Sequence, residues 1–589
     1  MLHDLASQFL AAAPLEIVAS DSPLKIKLNF VDWSILVAYV LTVISIGFAL
    51  KRYMKNSEDF FLSGRAIPGW ITGLAFISAN LGAQELIGMA ASGAEYGIMT
   101  AHFYWVGAIP AMVFLGVFMM PMYYGSKARS VPEYLKMRFD EKTRTFNSVS
   151  FAVLTLFSSG ISMHVLADLL EMLLGWNYHL SLLVVSVVVL AYILKGGLSS
   201  AIYNEVLQFF MILLGIAPLA WLGVEAVGGW SGLMAKIASS RPEMMHLWKG
   251  TEGTGNPLGV PWYGILFGLG FVLSFGYWCT NFAEVQRALA ARSMGAARRT
   301  PLIGAVPKMM FPAVVILPGI VAYVLTSTPL SGGYSIPMKD GVTNYNQVLA
   351  SMIFHYFPNG MLGLALTGLM ASFMSGMAAN VTAFNTVWTY DIYEHKFPGK
   401  KTDRDLMRMG RYATIAGVLL SIGCAYFASN FKNIMSLLQM VFGFVNSPIF
   451  ATFLLGMFTT RSNSRGAFGG LVLGTISAIL LHGFSFATGN PVGLKGGWMS
   501  FFGGLPLIEM PKEMSQSFWV AGVAFTVTFV TNVVLSLTSS REKTDAQLAG
   551  LVYSLTPKQV EDSGPWYSRP AVLGLLIIIA VTALNFYFW

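Results

Sequence analysis

The stretch AFISANLGAQELIGM, residues 75–89, sets a hydroxyl, two amides and a carboxylate (Ser78, Asn80, Gln84, Glu85) beside the small residues Gly82, Ala83 and Gly88, all within a very apolar region. In hydrocarbon each polar group costs free energy unless it meets a partner or a water-filled path. Two arrangements answer that cost. A helix that unwinds near the bilayer midplane frees carbonyls, here those of Ser78 and Leu81, for a small cation, and turns Asn80, Gln84 and Glu85 toward a solute. Irregular backbone survives at that depth only where it lines a cavity. Alternatively, an unbroken helix packs closely through Gly82 and Gly88 and bonds its polar side chains to neighbouring helices. ASFMSGM, residues 371–377, adds a second oxygen-bearing face, because Ser372 and Ser375 lie three apart on one side of a helix. Two oxygens there suit a hard cation such as sodium, although serine hydroxyls in membrane helices also bond back to their own backbone.

Further polar groups interrupt apolar sequence at GGLSSAIYNEVLQ (196–208, with Glu205), SFGYWCTNFAEVQR (274–287, with Ser274, Tyr277 and Trp278), AVPKMMFP (305–312, with Lys308) and Gln439. Glu205 fits a cation route or a partner for an arginine of an inner loop. Tyr277 and Trp278 fit a stacking platform or an aromatic core pair, and Lys308 a solute donor or a side chain snorkelling to the headgroups. His102 reads as a packing or surface residue. Enzyme constellations are missing: no HExxH, GxSxG or Walker GxxxxGK[ST] occurs. The expectation is a protein that is not an enzyme and takes no drive from ATP.

These groups need a membrane bundle to bring them together. Of 589 residues, 55% are hydrophobic and 11% charged, against about 25% charged in a soluble domain. Fourteen apolar runs between residues 32 and 588 are long enough to cross roughly 30 Å of hydrocarbon, so the predicted class is an all-α multi-pass membrane protein. If the chain starts outside, 27 of its 37 Lys and Arg residues fall on the inner side and nine on the outer, with Lys308 inside a span. That is the positive-inside pattern; it predicts both termini outside and accounts for the net charge of +8 without nucleic acid. Cys279 and Cys424 fall in apolar runs and predict no disulfide framework. FLAAAPLEIVA is too short and broken for a secretory signal and reads as part of an outer tail over 1–31.

Several stretches, in order from 32 to about 490, together resemble one family. SANLGAQELIGMAASG, VPEYLKMRF, KGGLSSAIYNEVLQ, YWCTNFAEVQRALAARS, VVILPGIVAYV, LMASFMSGMAANVTAFNTVWTYDIY and RGAFGGLVLG are similar to segments of the sodium/solute symporters, particularly the sodium/glucose cotransporter branch. The resemblance implies a leucine-transporter type of fold: a leading helix (32–51), a five-helix repeat (68–226), its inverted counterpart (262–459), and three peripheral helices (466–589). It implies a cation site from backbone oxygens of Ser78, Leu81 and Ser372 and side-chain oxygens of Ser375 and its successor. That successor is Gly376, where sugar-transporting members carry serine. Glu205 falls on the cation exit path. Asn80, Tyr277, Trp278, Lys308 and Gln439 match solute contacts. Glu85 replaces glutamine or histidine, Tyr104 replaces glutamate, and Ser274 stands for Thr or Asn.

The implied function is import of a small hydroxylated solute, a sugar or polyol, coupled to sodium in the plasma (inner) membrane. No organic cofactor or transition metal is expected. The alternative is a uniporter, or a transporter coupled to protons or handling an amino-acid-like solute, because of the gap at Gly376.

Overall fold

The computed structural model describes residues 28–82, 84–327, 333–339, 341–397, 399–429, 434–503, 507–557 and 565–589. Most of the tail expected over 1–31 lies outside these residues, as do Ala83 and the side chain of Gln84.

Each of the fourteen apolar runs corresponds to a helix or, at 68–92 and 262–287, to a pair of helices. The first is α1 (Phe30–Leu50), whose 21 residues rise about 31 Å, matching a hydrocarbon core. Then follow α2 (Gly69–Asn80) with α3 (Glu85–Ala101), α4 (Phe103–Gly125), α5 (Glu141–Leu174), α6 (Tyr178–Leu194) and α7 (Gly196–Ala226). The next group is α8 (Trp262–Thr280), α9 (Phe282–Leu289), α10 (Met294–Ser327), α11 (Met361–Lys396), α12 (Asp403–Ala428) and α13 (Met435–Phe458). The chain ends with α14 (Ser464–Phe484), α15 (Glu513–Leu537) and α16 (Pro570–Tyr587). Outside the helices, the described residues hold two short strand pairs, Met338–Lys339 with Val342–Thr343 and Ser485–Ala487 with Ile508–Met510.

The helices run past the apolar windows because polar caps extend them into the interface. Asp140 accepts from Thr143 N at 2.9 Å to start α5, and Thr402 and Asp405 close a capping box before α12. The run over 262–287, which polar groups interrupt at SFGYWCTN, divides there: α8 stops at Thr280, Asn281 is extended (φ −69°, ψ 113°), and its side chain caps α9 through Ala283 N at 2.9 Å. Asparagine competes for backbone bonds and so favours a cap over a helix interior.

Small residues allow the central helices to touch. A methyl built on Gly319 of α10 would stand 2.1 Å from the Ala90 carbonyl oxygen on α3, and one on Gly368 of α11 2.9 Å from the Met211 carbonyl oxygen on α7. Such contacts replace side-chain interdigitation where lipid supplies no hydrophobic drive between helices. Gly197, at φ +52°, makes the turn from α6 into α7, with the Phe60 carbonyl against it.

The N-terminal ends of α1 and α11 are joined by a carboxylate. Asp32, fully buried, accepts 2.7 Å bonds from Gly360 N and Gly363 N, the donors left unpaired where α11 begins. A carboxylate is favoured there by the helix dipole as well. Replacing Asp32 with alanine leaves those donors buried and is expected to cost about 1.5–3 kcal/mol. A lower apparent melting temperature in detergent for Asp32→Ala, with Asp32→Asn intermediate, checks this; an unchanged transition contradicts it.

Candidate cation and solute site

The site is organised by the interruption after α2. Leu81 leaves helical geometry (φ −74°, ψ 52°), and α3 resumes at Glu85, bent by 63° from α2. The break exposes carbonyls that α11 meets. Ser375 Oγ donates to the Ser78 carbonyl at 2.8 Å and lies 3.2 Å from Ser78 Oγ, while Ser372 Oγ donates to the Leu81 carbonyl at 2.5 Å. All four residues are completely buried. Ser372 thus reaches across to Leu81 with its hydroxyl and does not bond back along its own helix. The result is a knot of neutral oxygens from two helices, the kind of shell that can stand in for an ion's water.

Gly376 contributes no side chain to this knot. A Cβ built there would lie 3.1 Å from Gly82 Cα and 3.6 Å from Ser162 Oγ of α5. Ser162 is a hydroxyl that sequence reasoning missed; a serine within ISMHV carries no signal of which neighbour it will face.

On the other side of the break lies a cavity of about 60 Å³ lined by Asn80, Glu85, Tyr104, Ser274, Tyr277, Trp278, Lys308 and Gln439. Five helices, α2, α3, α4, α8 and α10, with α13 opposite, bring these eight residues to one place. Met89, Phe103, Leu269, Met435 and Phe442 complete an apolar wall that the sequence did not single out. Lys308 does not snorkel. Its ammonium is 2% exposed, forms an ion pair with Glu85, donates to Asn80 Oδ1 at 2.5 Å and sits 4.7 Å from the Tyr104 ring centre and 5.4 Å from that of Trp278. Tyr104 therefore offers the cation a π face, and the carboxylate comes from Glu85.

Tyr277 forms the floor of the cavity. Its ring packs against Phe442 at 4.9 Å and edge-on to Trp278 at 5.3 Å. Its hydroxyl accepts from Asn80 Nδ2 at 3.0 Å and donates to Glu284 Oε1 at 2.7 Å. One phenol therefore ties the break after α2 to the break between α8 and α9. Glu284 was not anticipated, since within FAEVQR it reads as one polar residue of an inner helix end.

Glu205 is completely buried and ion-paired with Arg287, whose Nε lies 3.2 Å from Glu205 Oε2 while its Nη2 takes Oε1. Both carboxylate oxygens are thereby engaged, which is the second of the two readings the sequence left open. Ser274 sits against Gly107 of α4. Gln439 donates only a weak bond, to Met435 Sδ at 3.3 Å. His102 is buried edge-on to Trp248 at 4.5 Å and serves packing.

The pattern that defines the sodium:solute symporter family matches residues 60–474, well over half of the sequence. The chain belongs to that family. Its similarity to the sodium/glucose cotransporter of Vibrio parahaemolyticus is 29% identity over 465 residues, covering 77% of this chain and 85% of that protein. Sodium/glucose cotransporter 1 of Ovis aries is 28% identical over 502 residues, covering 78% and 73%. Among solved structures, a Na⁺-coupled sialic acid symporter in a substrate-bound, outward-open state superposes with a TM-score of 0.71 at 18% identity, covering 88% of this chain and all of that one. The fold is accordingly the leucine-transporter type, in a multi-pass membrane protein. Members of the family are transporters.

The Glu85–Lys308 pair yields a prediction. Removing one partner strands a buried charge at a cost of about 3–5 kcal/mol, whereas replacing both by neutral groups of similar volume is far milder. Lys308→Met is therefore expected to lower the apparent melting temperature strongly, and Glu85→Gln with Lys308→Met to recover most of the loss. Additive losses in the double variant contradict the pairing.

Proposed function

We propose that this protein is a secondary active symporter that brings a small hydroxylated solute, a sugar or polyol, across the plasma membrane with sodium, by alternating access. The observation that carries the reading is that one interrupted helix serves both sites. Ser78 and Leu81 on one side of the break face the hydroxyls of α11, and Asn80 and Glu85 on the other face the cavity.

A cation held by the Ser78 and Leu81 carbonyls fixes the break and so sets the positions of Asn80 and Glu85. Solute affinity then depends on the ion, and by linkage ion affinity depends equally on solute. Cations and a sugar's polar edges find different surfaces: oxygens alone for the ion, and for the solute the Asn80, Glu85, Lys308 and Gln439 groups beside the Tyr277, Trp278 and Tyr104 rings. A cavity of about 60 Å³ has room for roughly four waters. A solute the size of a sugar must therefore displace part of the Tyr277–Phe442 contact.

In this reading residues 68–226 and 262–459 are the two inverted repeats, 32–51 the leading helix and 466–589 the periphery, with both termini outside. Rocking of one group against the other about the two breaks alternates access. Sodium leaving inward passes Glu205, which has to part from Arg287 to receive it. A second reading, a uniporter or a carrier driven by another ion, is favoured by the side chain missing at Gly376; a zwitterionic solute is favoured by the paired charges of Glu85 and Lys308.

Uptake into proteoliposomes of a sugar, polyol and amino-acid panel, with and without an inward sodium gradient, separates these readings. Accumulation of a sugar or polyol only with the gradient supports the first. Equilibration without accumulation supports the uniporter, and a preference for amino acids rejects the sugar assignment.

Two substitutions test the cation site. Ser375→Ala removes a hydroxyl oxygen and is expected to raise the half-saturating sodium concentration about tenfold; unchanged sodium dependence removes Ser375 from the site. At Gly376 an added Cβ crowds Gly82 at 3.1 Å, so Gly376→Ser mixes that contact with a gained oxygen. Gly376→Ala carries the contact alone. The serine variant is expected to need several-fold less sodium than the alanine variant, and equal requirements would show that the oxygen does not reach the ion.

A further inference from the structure

Along α8 the side chains that line the cavity run from Leu269 and Ser274 to Tyr277 and Trp278, after which come the Asn281 break and Glu284. Glu284 thus sits behind Tyr277, outside the cavity that Tyr277 lines, and on the inner side in the proposed threading. Its side chain is essentially inaccessible, at 1% exposure. One oxygen accepts the Tyr277 hydroxyl at 2.7 Å, and the other, Oε2, has no hydrogen-bond partner among the described residues.

The charges around it do not balance. The groups facing Glu284 are Tyr277 on α8, Arg287 on α9, Glu205 on α7 and Lys308 on α10. The Arg287 charge is matched by Glu205 and the Lys308 charge by Glu85. Of the helices packed against α9, α2 has no titratable residue and α11 has none from Met361 to Thr386, where Gln286 of α9 bonds Thr386 Oγ1 at 2.9 Å. α10 also carries Arg298 and Arg299 near its start, far along the helix from Lys308, and the cations acting on Glu284 are Arg287 and Lys308. Three buried carboxylates therefore share two buried cations.

We propose that Glu284 is a proton-binding site of the inner gate. It holds a proton while Tyr277 is closed over it, and it gives that proton to inner water when the tyrosine swings away and the site opens inward. The inference deepens the transport reading, since it concerns the inner door of the same site.

Two effects compete in the closed state. An ionised Glu284 would accept a charge-assisted, stronger bond from Tyr277. Against this stands the cost of burying an ionised carboxylate with one oxygen unpaired, which a single such bond does not return. The second effect is larger, so the closed state binds the proton and the open, hydrated state releases it. The sign follows: a group protonated when closed and ionised when open favours closure as inner pH falls and inward opening as it rises. The proton is taken from and returned to the inner side, so gating is pH-linked without any net proton movement.

The test has two arms on the full-length protein. In nanodiscs, infrared difference spectra across a pH titration should show, for the wild type, a protonated-carboxyl band that disappears on alkalinisation and is missing in Glu284→Gln. This arm needs no solute. In proteoliposomes with an inward sodium gradient and glucose as the probe, wild-type uptake should run several-fold faster at mildly alkaline than at mildly acid inner pH. Glu284→Gln keeps an acceptor for Tyr277 and should lose that dependence while eluting as a folded protein. A titrating band identical in wild type and Glu284→Gln, or an inner-pH dependence that survives the substitution, would overturn the proposal. If glucose is not carried at all, the failure belongs to the sugar reading, and the infrared arm alone decides the proton site.

Discussion

A peptide carbonyl in hydrocarbon has no water to bond, so the interruption at Leu81 exists only because other groups meet it. Ser372 and Ser375 do so from α11, and the rest of the site depends on that meeting. Were α11 displaced, the Ser78 and Leu81 carbonyls would be stranded, and the segment would regain a regular helix in which Asn80 and Glu85 no longer share one cavity. The same hydroxyls that stabilise the break are the ones a cation would borrow. In the proposed reading structural and transport roles reside in one set of oxygens, so that occupancy of the ion site would be felt a few residues further along.

The second organising constraint is charge burial. Two ion pairs, Glu85–Lys308 and Glu205–Arg287, are buried among packed helices, the first of them on the wall of the cavity. A buried pair returns its desolvation cost only with good geometry and further hydrogen bonds. Lys308 obtains these from Asn80 and two aromatic faces, and Arg287 from the Ala283 carbonyl at 2.7 Å. Each pair joins a residue between 68 and 226 to one between 262 and 459, so in the proposed reading opening the site in either direction has to keep or exchange them. Tyr277, bonded at once to Asn80 and Glu284, stands between the two.

Much of this was legible in the sequence because membranes impose simple rules. Apolar length located the helices. The oxygen-bearing pattern of SANLGAQE and ASFMSGM, with the family resemblance, named residues that the structure brings together around one break. What was not legible depended on partners distant in the chain. Nothing about Lys308 within its own helix distinguished a side chain aimed at the cavity from one reaching the headgroups; Glu85 on another helix decided it. Glu205 next to Arg287 was equally ambiguous until both were seen buried. Ser162 and Glu284 had no motif at all, and they matter because of what Gly376 leaves uncovered and where Tyr277 points. The second break falls within the polar SFGYWCTN stretch, but its exact place was not legible, because an asparagine, rather than a glycine or proline, ends α8.

The central claim is that a cation engages the oxygens freed at Leu81 and thereby orders the break. Hydrogen–deuterium exchange of the protein in nanodiscs, with sodium compared against choline at equal ionic strength and no solute present, tests it directly. Sodium should slow exchange selectively in peptides covering residues 78–89 and 372–376. Exchange in those peptides that is the same in sodium and in choline would contradict the account.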